Sequence, residues 1–137
     1  MSSYTVYCDG GSRGNPGPAA SAFVVIEGKS VVHEDSFYLG KATNNVAEYE
    51  AVYRGLLWFQ HEGKKKLSIK FVVDSQLVAK QLSGEFKIKS DHLKLLADKI
   101  KKLERSNHFR VAYLWTERAR NKRADRLVNE KLDEVLK

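Results

Sequence analysis

Four acidic residues, Asp9, Glu48, Asp74 and Asp125, stand where the local pattern of this sequence calls for something else. Glu48 falls in a segment with helical periodicity that runs from about Val46 to His61. A turn of 100° per residue places it in line with Val52, Gly55 and Phe59, in the middle of the apolar stripe. An unpaired buried carboxylate is strongly unfavourable, so Glu48 must sit at a rim, carry a proton or meet a cation. The ordinary alternative is a capping box, because Asn45 and Glu48 stand at N-cap and N3 spacing. Asp125 repeats the oddity above Val128, Leu132 and Leu136, with a favourable helix-dipole interaction as its ordinary explanation. Asp9 and Asp74 each end a strand-like run; singly, one reads as an acid opening a turn and the other as a helix N-cap.

Taken together the four imply chemistry. If the strands before Asp9 and Asp74 are parallel neighbours, both acids share the sheet edge where open α/β sheets bind ligands. Glu48 and Asp125 lie near the N-terminal ends of their helices and can converge on that same rim. Four unneutralised carboxylates would repel one another, whereas Mg²⁺ takes oxygen ligands and shares its site with substrate phosphate. The net charge of +7 supplies the complement. Residues 1–40 carry two basic and four acidic side chains, leaving 22 basic and 13 acidic ones, a net +9, for the remainder. Lysines and arginines facing phosphates release counterions on binding, so an acidic hole in a basic chain suits a metal-dependent phosphodiesterase. A merely soluble basic surface is the plainer reading of the charge alone.

The elements that must position these acids follow from periodicity and punctuation. Tyr4 to Cys8 reads as a strand running into a glycine-rich loop that extends to Pro18. Ala19 to Ile26 and Ser30 to Leu39 read as a hairpin turned at Glu27-Gly28-Lys29. Thr43-Asn44-Asn45 supplies cap residues for the first helix, which ends at Gly63. Leu67 to Val73 is an apolar strand, followed by a short helix through Leu82. Asp91 is placed to cap a third helix with the stripe Leu93, Leu96, Ile100 and Leu103. Arg110 to Trp115 is a fifth strand, and Asn121 starts a last helix reaching about Leu136. The order β-β-β-α-β-α-α-β-α calls for an α/β fold: a five-stranded mixed sheet, an antiparallel meander plus two parallel strands, flanked by helices.

At 137 residues, one domain over 1–137 is expected. The first residues lack a basic segment followed by an apolar one, and no run approaches the roughly 18 apolar residues of a membrane span, so a cytoplasmic protein without membrane contact is expected. Cys8, the single cysteine, reads as a small core residue, and Trp58 and Trp115 as core aromatics. The four histidines form no ligand pattern.

The segments Asp9-Gly10-Gly11-Ser12-Arg13-Gly14-Asn15-Pro16-Gly17, Thr43-Asn44-Asn45-Val46-Ala47-Glu48, Val73-Asp74-Ser75-Gln76 and Asn121-Lys122-Arg123-Ala124-Asp125-Arg126-Leu127 resemble type 1 ribonuclease H in order and spacing across nearly the whole chain. The resemblance implies an endonuclease that cuts the RNA strand of RNA·DNA hybrids, leaving 5′-phosphate and 3′-hydroxyl ends, and a monomer is expected. It also implies that Asp9, Glu48, Asp74 and Asp125 hold two Mg²⁺, with Mn²⁺ as a substitute, about 3.5–4 Å apart around the scissile phosphate. Gly10, Gly11 and Gly14 would let the backbone approach a minor groove, so that Ser12, Arg13 and Asn15 meet the RNA; the plainer reading is a turn. Thr43, Asn44, Asn45 and Gln76 resemble the family's groove and backbone contacts, compatible with helix capping.

The sequence departs from many members in two places. Only Thr116-Glu117-Arg118-Ala119-Arg120 separates Trp115 from Asn121, with no loop histidine; Arg118 or Arg120 is left to handle phosphate or to be a surface charge. Gly84 to Lys89 replaces a tryptophan-rich basic insertion, leaving Lys87, Lys89 and the lysines of the third helix as candidates for holding the duplex. The competing expectations are a nuclease that also cuts double-stranded RNA, a non-catalytic hybrid-binding module, and a basic interaction protein.

Overall fold

The computed structural model describes residues 2–137. Its elements are β1 (Ser3–Ser12), β2 (Gly17–Glu27), β3 (Ser30–Ala42), α1 (Asn44–His61), β4 (Ser68–Val73), α2 (Gln76–Leu82), α3 (Asp91–Ser106), β5 (Arg110–Trp115) and α4 (Lys122–Val135), with a short 3-10 turn at Arg118–Arg120. The five strands form one sheet in the order β3-β2-β1-β4-β5. β1, β2 and β3 pair antiparallel, while β1–β4 and β4–β5 are parallel, as the sequence pattern requires.

Strand alternation divides the core between the two faces of the sheet. Val6 and Cys8 of β1, Phe23 and Val25 of β2, and Ile69, Phe71 and Val73 of β4 meet Tyr49, Val52, Leu56 and Phe59 of α1. Leu93, Leu96, Ala97 and Ile100 bring α3 onto the same cluster. The opposite face carries a smaller cluster, where Ala20 and Ala22 of β2 receive Val128 and Leu132 of α4. Small residues on β2 allow that close approach, since bulk there would lift the helix off the sheet.

Several local expectations change. The glycine-rich segment is not a loop from its start: β1 continues through Gly10, Gly11 and Ser12, pairing with Ser21, Ala20 and Ala19. Ser90, not Asp91, caps α3, its Oγ accepting from the Leu93 amide at 3.3 Å. Trp58 packs partly buried against the main core and stacks on His33 with centroids 4.7 Å apart. Trp115 is not a core residue, being 47% exposed at the end of the edge strand β5. An edge strand has no neighbour to cover its last side chain, and neither strand length nor residue type reveals which strand lies at the edge. Leu136, expected on the buried stripe of α4, lies past the end of the helix and is exposed. Among the described residues, no helix is long and apolar enough to cross a membrane.

Candidate active site

Register sets the first pair of acids. Tyr7 pairs with Val72 in the parallel β1–β4 ladder, so Asp9 and Asp74, two residues further on, stand level at the carboxyl ends of adjacent strands. The odd residues of β4 and the even residues of β1 point into the main core. Asp9 and Asp74 therefore point to the other face, the one α4 covers.

Glu48 comes from α1, across the sheet, and reaches the same place because of Gly10. A Cβ at position 10 would overlap the backbone of Ala47 and Glu48; without one, the first turn of α1 rests directly on β1. The Gly10 amide donates to the Glu48 carboxylate, and Ser21 Oγ donates to the Ala47 carbonyl oxygen at 2.6 Å. The capping box expected of Asn45 and Glu48 does not form. Thr43 is the N-cap, its Oγ1 accepting from the Val46 amide at 3.2 Å, which frees Glu48 for the site. Asp74 is likewise not a cap; Ser75 accepts from the Val78 amide in that role.

Carboxylate oxygens of Asp9, Glu48 and Asp74 lie within 4.8 Å of one another. Asp9 and Glu48 are buried, and the Asp74 side chain is 1% exposed. Asp125, from the first turns of α4, stands outside this tight group but hydrogen-bonds the Asp9 carboxyl. Burial foremost, then the Asp74 charge and the hydrogen bond and charge of Asp125, push Asp9 up to about 8 against a small opposing effect of its bond with Glu48. Burial, followed by the charges of Asp9 and Asp74, holds Glu48 well above the usual carboxylate range. The burial and the neighbouring charges are each a cost of placing negative charge here. Among the described residues, the cation that approaches the group is Arg118, its Nε 3.9 Å from Asp74 Oδ2 and its side chain 75% exposed. Glu48 Oε2 is buried with no hydrogen-bond partner. Converging hard oxygens, one of them unpartnered, fit a divalent cation such as Mg²⁺.

The acids floor a cleft of about 530 Å³ whose walls include Gly10, Gly11, Ser12, Arg13, Asn44, Asn45, Ser75 and Arg118. Asn15 and Thr43 instead line a neighbouring depression that shares Asn44 and Asn45 with the cleft. Gln76 lines neither and is exposed at the start of α2. Several of these polar groups already have protein partners. Ser12 N and Oγ donate to Asn44 Oδ1 at 2.8 and 3.2 Å, and the Asn44 amide donates to Asn15 Oδ1 at 2.9 Å. Arg13 pairs with Asp133 of α4 at 2.6 Å. They stitch the β1–β2 turn to α1 and α4, which fixes the shape of the cleft mouth. Sequence reasoning missed Ser75 and the α4 wall of Val128, Asn129 and Leu132; a capping serine and an apolar stripe carry no signal that they also border a cleft.

A family model described as "Reverse transcriptase-like" matches residues 7–131. The structure of LC11-RNase H1 in complex with an RNA/DNA hybrid, a protein isolated from compost by a metagenomic approach, superposes with a TM-score of 0.93 at 38% identity, covering 98% of this chain and 99% of that one. RNase H1 from the archaeon Halobacterium salinarum gives a TM-score of 0.89 at 38% identity, with 96% and 98% covered. The bifunctional protein Rv2228c of Mycobacterium tuberculosis is 41% identical over 130 residues, 93% of this chain; the chain spans 35% of that relative's length. The mixed sheet, the acids gathered at its edge and these matches over nearly the full length agree that the chain belongs to the type 1 ribonuclease H family.

Proposed function

We propose that this chain is an endonuclease that hydrolyses the RNA strand of RNA·DNA hybrids, with Asp9, Glu48, Asp74 and Asp125 holding two Mg²⁺ ions, Mn²⁺ being able to replace them. The observation that carries the reading is the convergence of three carboxylates within 4.8 Å, one oxygen unpartnered, in the floor of a cleft on a chain of net charge +7. Divalent cations held there supply Lewis acidity toward a phosphodiester and lower the pKa of water, consistent with 5′-phosphate and 3′-hydroxyl products. The chain's own residues bind and orient. Arg118, exposed beside Asp74, meets a phosphate entering the cleft. The side chains of Ser12, Arg13, Asn44 and Asn45 border the cleft and offer polar groups to a minor groove that Gly10 and Gly11 leave room for, while Asn15, Thr43 and Gln76 extend the contact surface. Recognition through 2′-hydroxyls, phosphates and A-like shape makes cutting independent of base sequence. The same reading takes residues 1–137 as one catalytic domain, monomeric and cytoplasmic, with no membrane partner.

Matched RNA·DNA, RNA·RNA and DNA·DNA duplexes, each incubated with and without chelator, test this reading. Chelator-sensitive cutting confined to the RNA of the hybrid is expected. Cutting of RNA·RNA at a comparable rate shifts the reading to a broader nuclease, and no cutting of the hybrid in Mg²⁺ ends it.

Proton linkage gives a second expectation. Since Asp9 keeps its proton up to about pH 8 and Glu48 is raised as well, cation binding at pH 7 must displace protons. Apparent Mg²⁺ affinity therefore rises with pH through about 8. Calorimetry in two buffers of different ionisation enthalpy counts the protons released; an affinity flat from pH 6 to 9 with no proton release contradicts the assignment.

A further inference from the structure

Asn121 occupies the N-cap position of α4, where an asparagine side chain ordinarily accepts a hydrogen bond from a first-turn amide. It makes no such bond. The residue is 1% exposed, and its side chain turns inward instead: Nδ2 donates to the Cys8 carbonyl oxygen at 2.8 Å and contacts Asp74 Oδ2 at 3.4 Å. Its Oδ1 is buried without a partner. A forgone cap and an unsatisfied buried amide oxygen both lower stability, so local helix energetics do not account for this arrangement.

What the side chain does is join the ends of three elements. Cys8 immediately precedes Asp9 on β1, Asp74 follows the last residue of β4, and the Asn121 carbonyl oxygen accepts from the Asp125 amide at 3.1 Å in the first turn of α4. One amide thus touches the backbone beside the first acid, a carboxylate oxygen of the second and, through its own main chain, the turn that carries the fourth. Resting on the cation site proposed above, we propose that Asn121 is a positioning residue for that site. Its donor NH₂ group aims the Asp74 carboxylate and locks the first turn of α4 to β1, which sets how far Asp125 stands from the other acids. Groups that hydrogen-bond metal-ligating carboxylates commonly change metal affinity or activity by about 10–100-fold when removed.

Asn121→Ser separates this role from a structural one. Serine keeps a small polar side chain at the start of α4 but is too short to span to both Cys8 and Asp74. With chelator present, the variant is expected to fold and melt cooperatively, somewhat below wild type because the buried Cys8 carbonyl oxygen loses its donor. Mg²⁺ affinity by calorimetry should fall about 10–100-fold. At limiting Mg²⁺ kcat should fall similarly, with KM for hybrid within about twofold and partial recovery in excess Mg²⁺, as expected of a residue that acts through the ligands. Wild-type protein gives an independent readout: the Asn121 side-chain NH₂ resonances should be protected from exchange and should shift on Mg²⁺ titration with the calorimetric affinity. A serine variant with wild-type Mg²⁺ affinity overturns the proposal. If that variant does not fold, NH₂ resonances that stay still at saturating Mg²⁺ overturn it instead. Wild-type protein that binds no Mg²⁺ and cuts no hybrid fails the functional reading itself, which is a distinct result.

Discussion

Asp9→Asn is expected to give a folded protein that no longer cleaves, with kcat/KM reduced at least roughly a thousandfold, equivalent to about 4 kcal/mol of transition-state stabilisation. Asp9 is the hub of the site: its carboxylate belongs to the group within 4.8 Å and hydrogen-bonds both Asp125 and Glu48. The amide preserves size and removes the charge that a cation requires. Asp74→Asn is expected to have the same effect on cleavage. Stability should move the other way. A carboxyl whose folded pKa is raised from 3.8 to about 8 contributes stability that is fully present below the unfolded value and is lost as pH rises through the folded one. In chelator, wild-type protein therefore weakens between about pH 4 and 8, and Asp9→Asn escapes that loss. The variant should melt at or above the wild-type temperature, with the gap widening from about pH 4 to about pH 8. Cleavage assays and melts across pH settle both halves; full activity in either asparagine variant removes the proposed ligand set.

Gly10→Ala and Gly11→Ala should diverge sharply although the two glycines are adjacent in one strand. At position 10 a methyl group would overlap the backbone of Ala47 and Glu48, and backbone cannot swing aside as a long side chain can. Overpacking of a well-filled interior typically costs about 1–3 kcal/mol, and a clash between two hydrogen-bonded elements belongs at or above the top of that range. A fall in melting temperature of at least about 10 °C is expected, with Glu48 displaced from the other acids. At position 11 the nearest neighbour of a new Cβ is Asn44 Oδ1 at 3.8 Å, an ordinary contact, so melting should hardly change. Weaker hybrid binding by Gly11→Ala would then report on substrate alone. A Gly10→Ala protein that melts like wild type contradicts the account of how Glu48 reaches the site.

The contrast between those glycines shows where sequence reasoning succeeded and where it stopped. Both were read as places where backbone approaches a minor groove. For Gly10 the close partner is the protein's own helix, a fact that no turn propensity encodes. Asn121 is a similar case: its type and position marked the start of α4, but where its side chain turns depends on Cys8 and Asp74, far away in the chain. Trp115 was assigned to the core on residue type, but its exposure follows from β5 lying at the sheet edge.

The sequence by itself determined the order of elements, the mixed sheet and the identity of the four anomalous acids. These rest on periodicities of two and 3.6 residues, which neighbouring residues impose whatever the rest of the chain does. Tertiary structure alone decided that Asp9, Glu48 and Asp74 meet within 4.8 Å, that Asp125 stands slightly apart, and that Arg13 is tied to Asp133 while Asn121 spans three elements. Those distances follow from strand register and from how closely a helix can lie on a glycine. Both are properties of packing between remote segments, and no local pattern carries them.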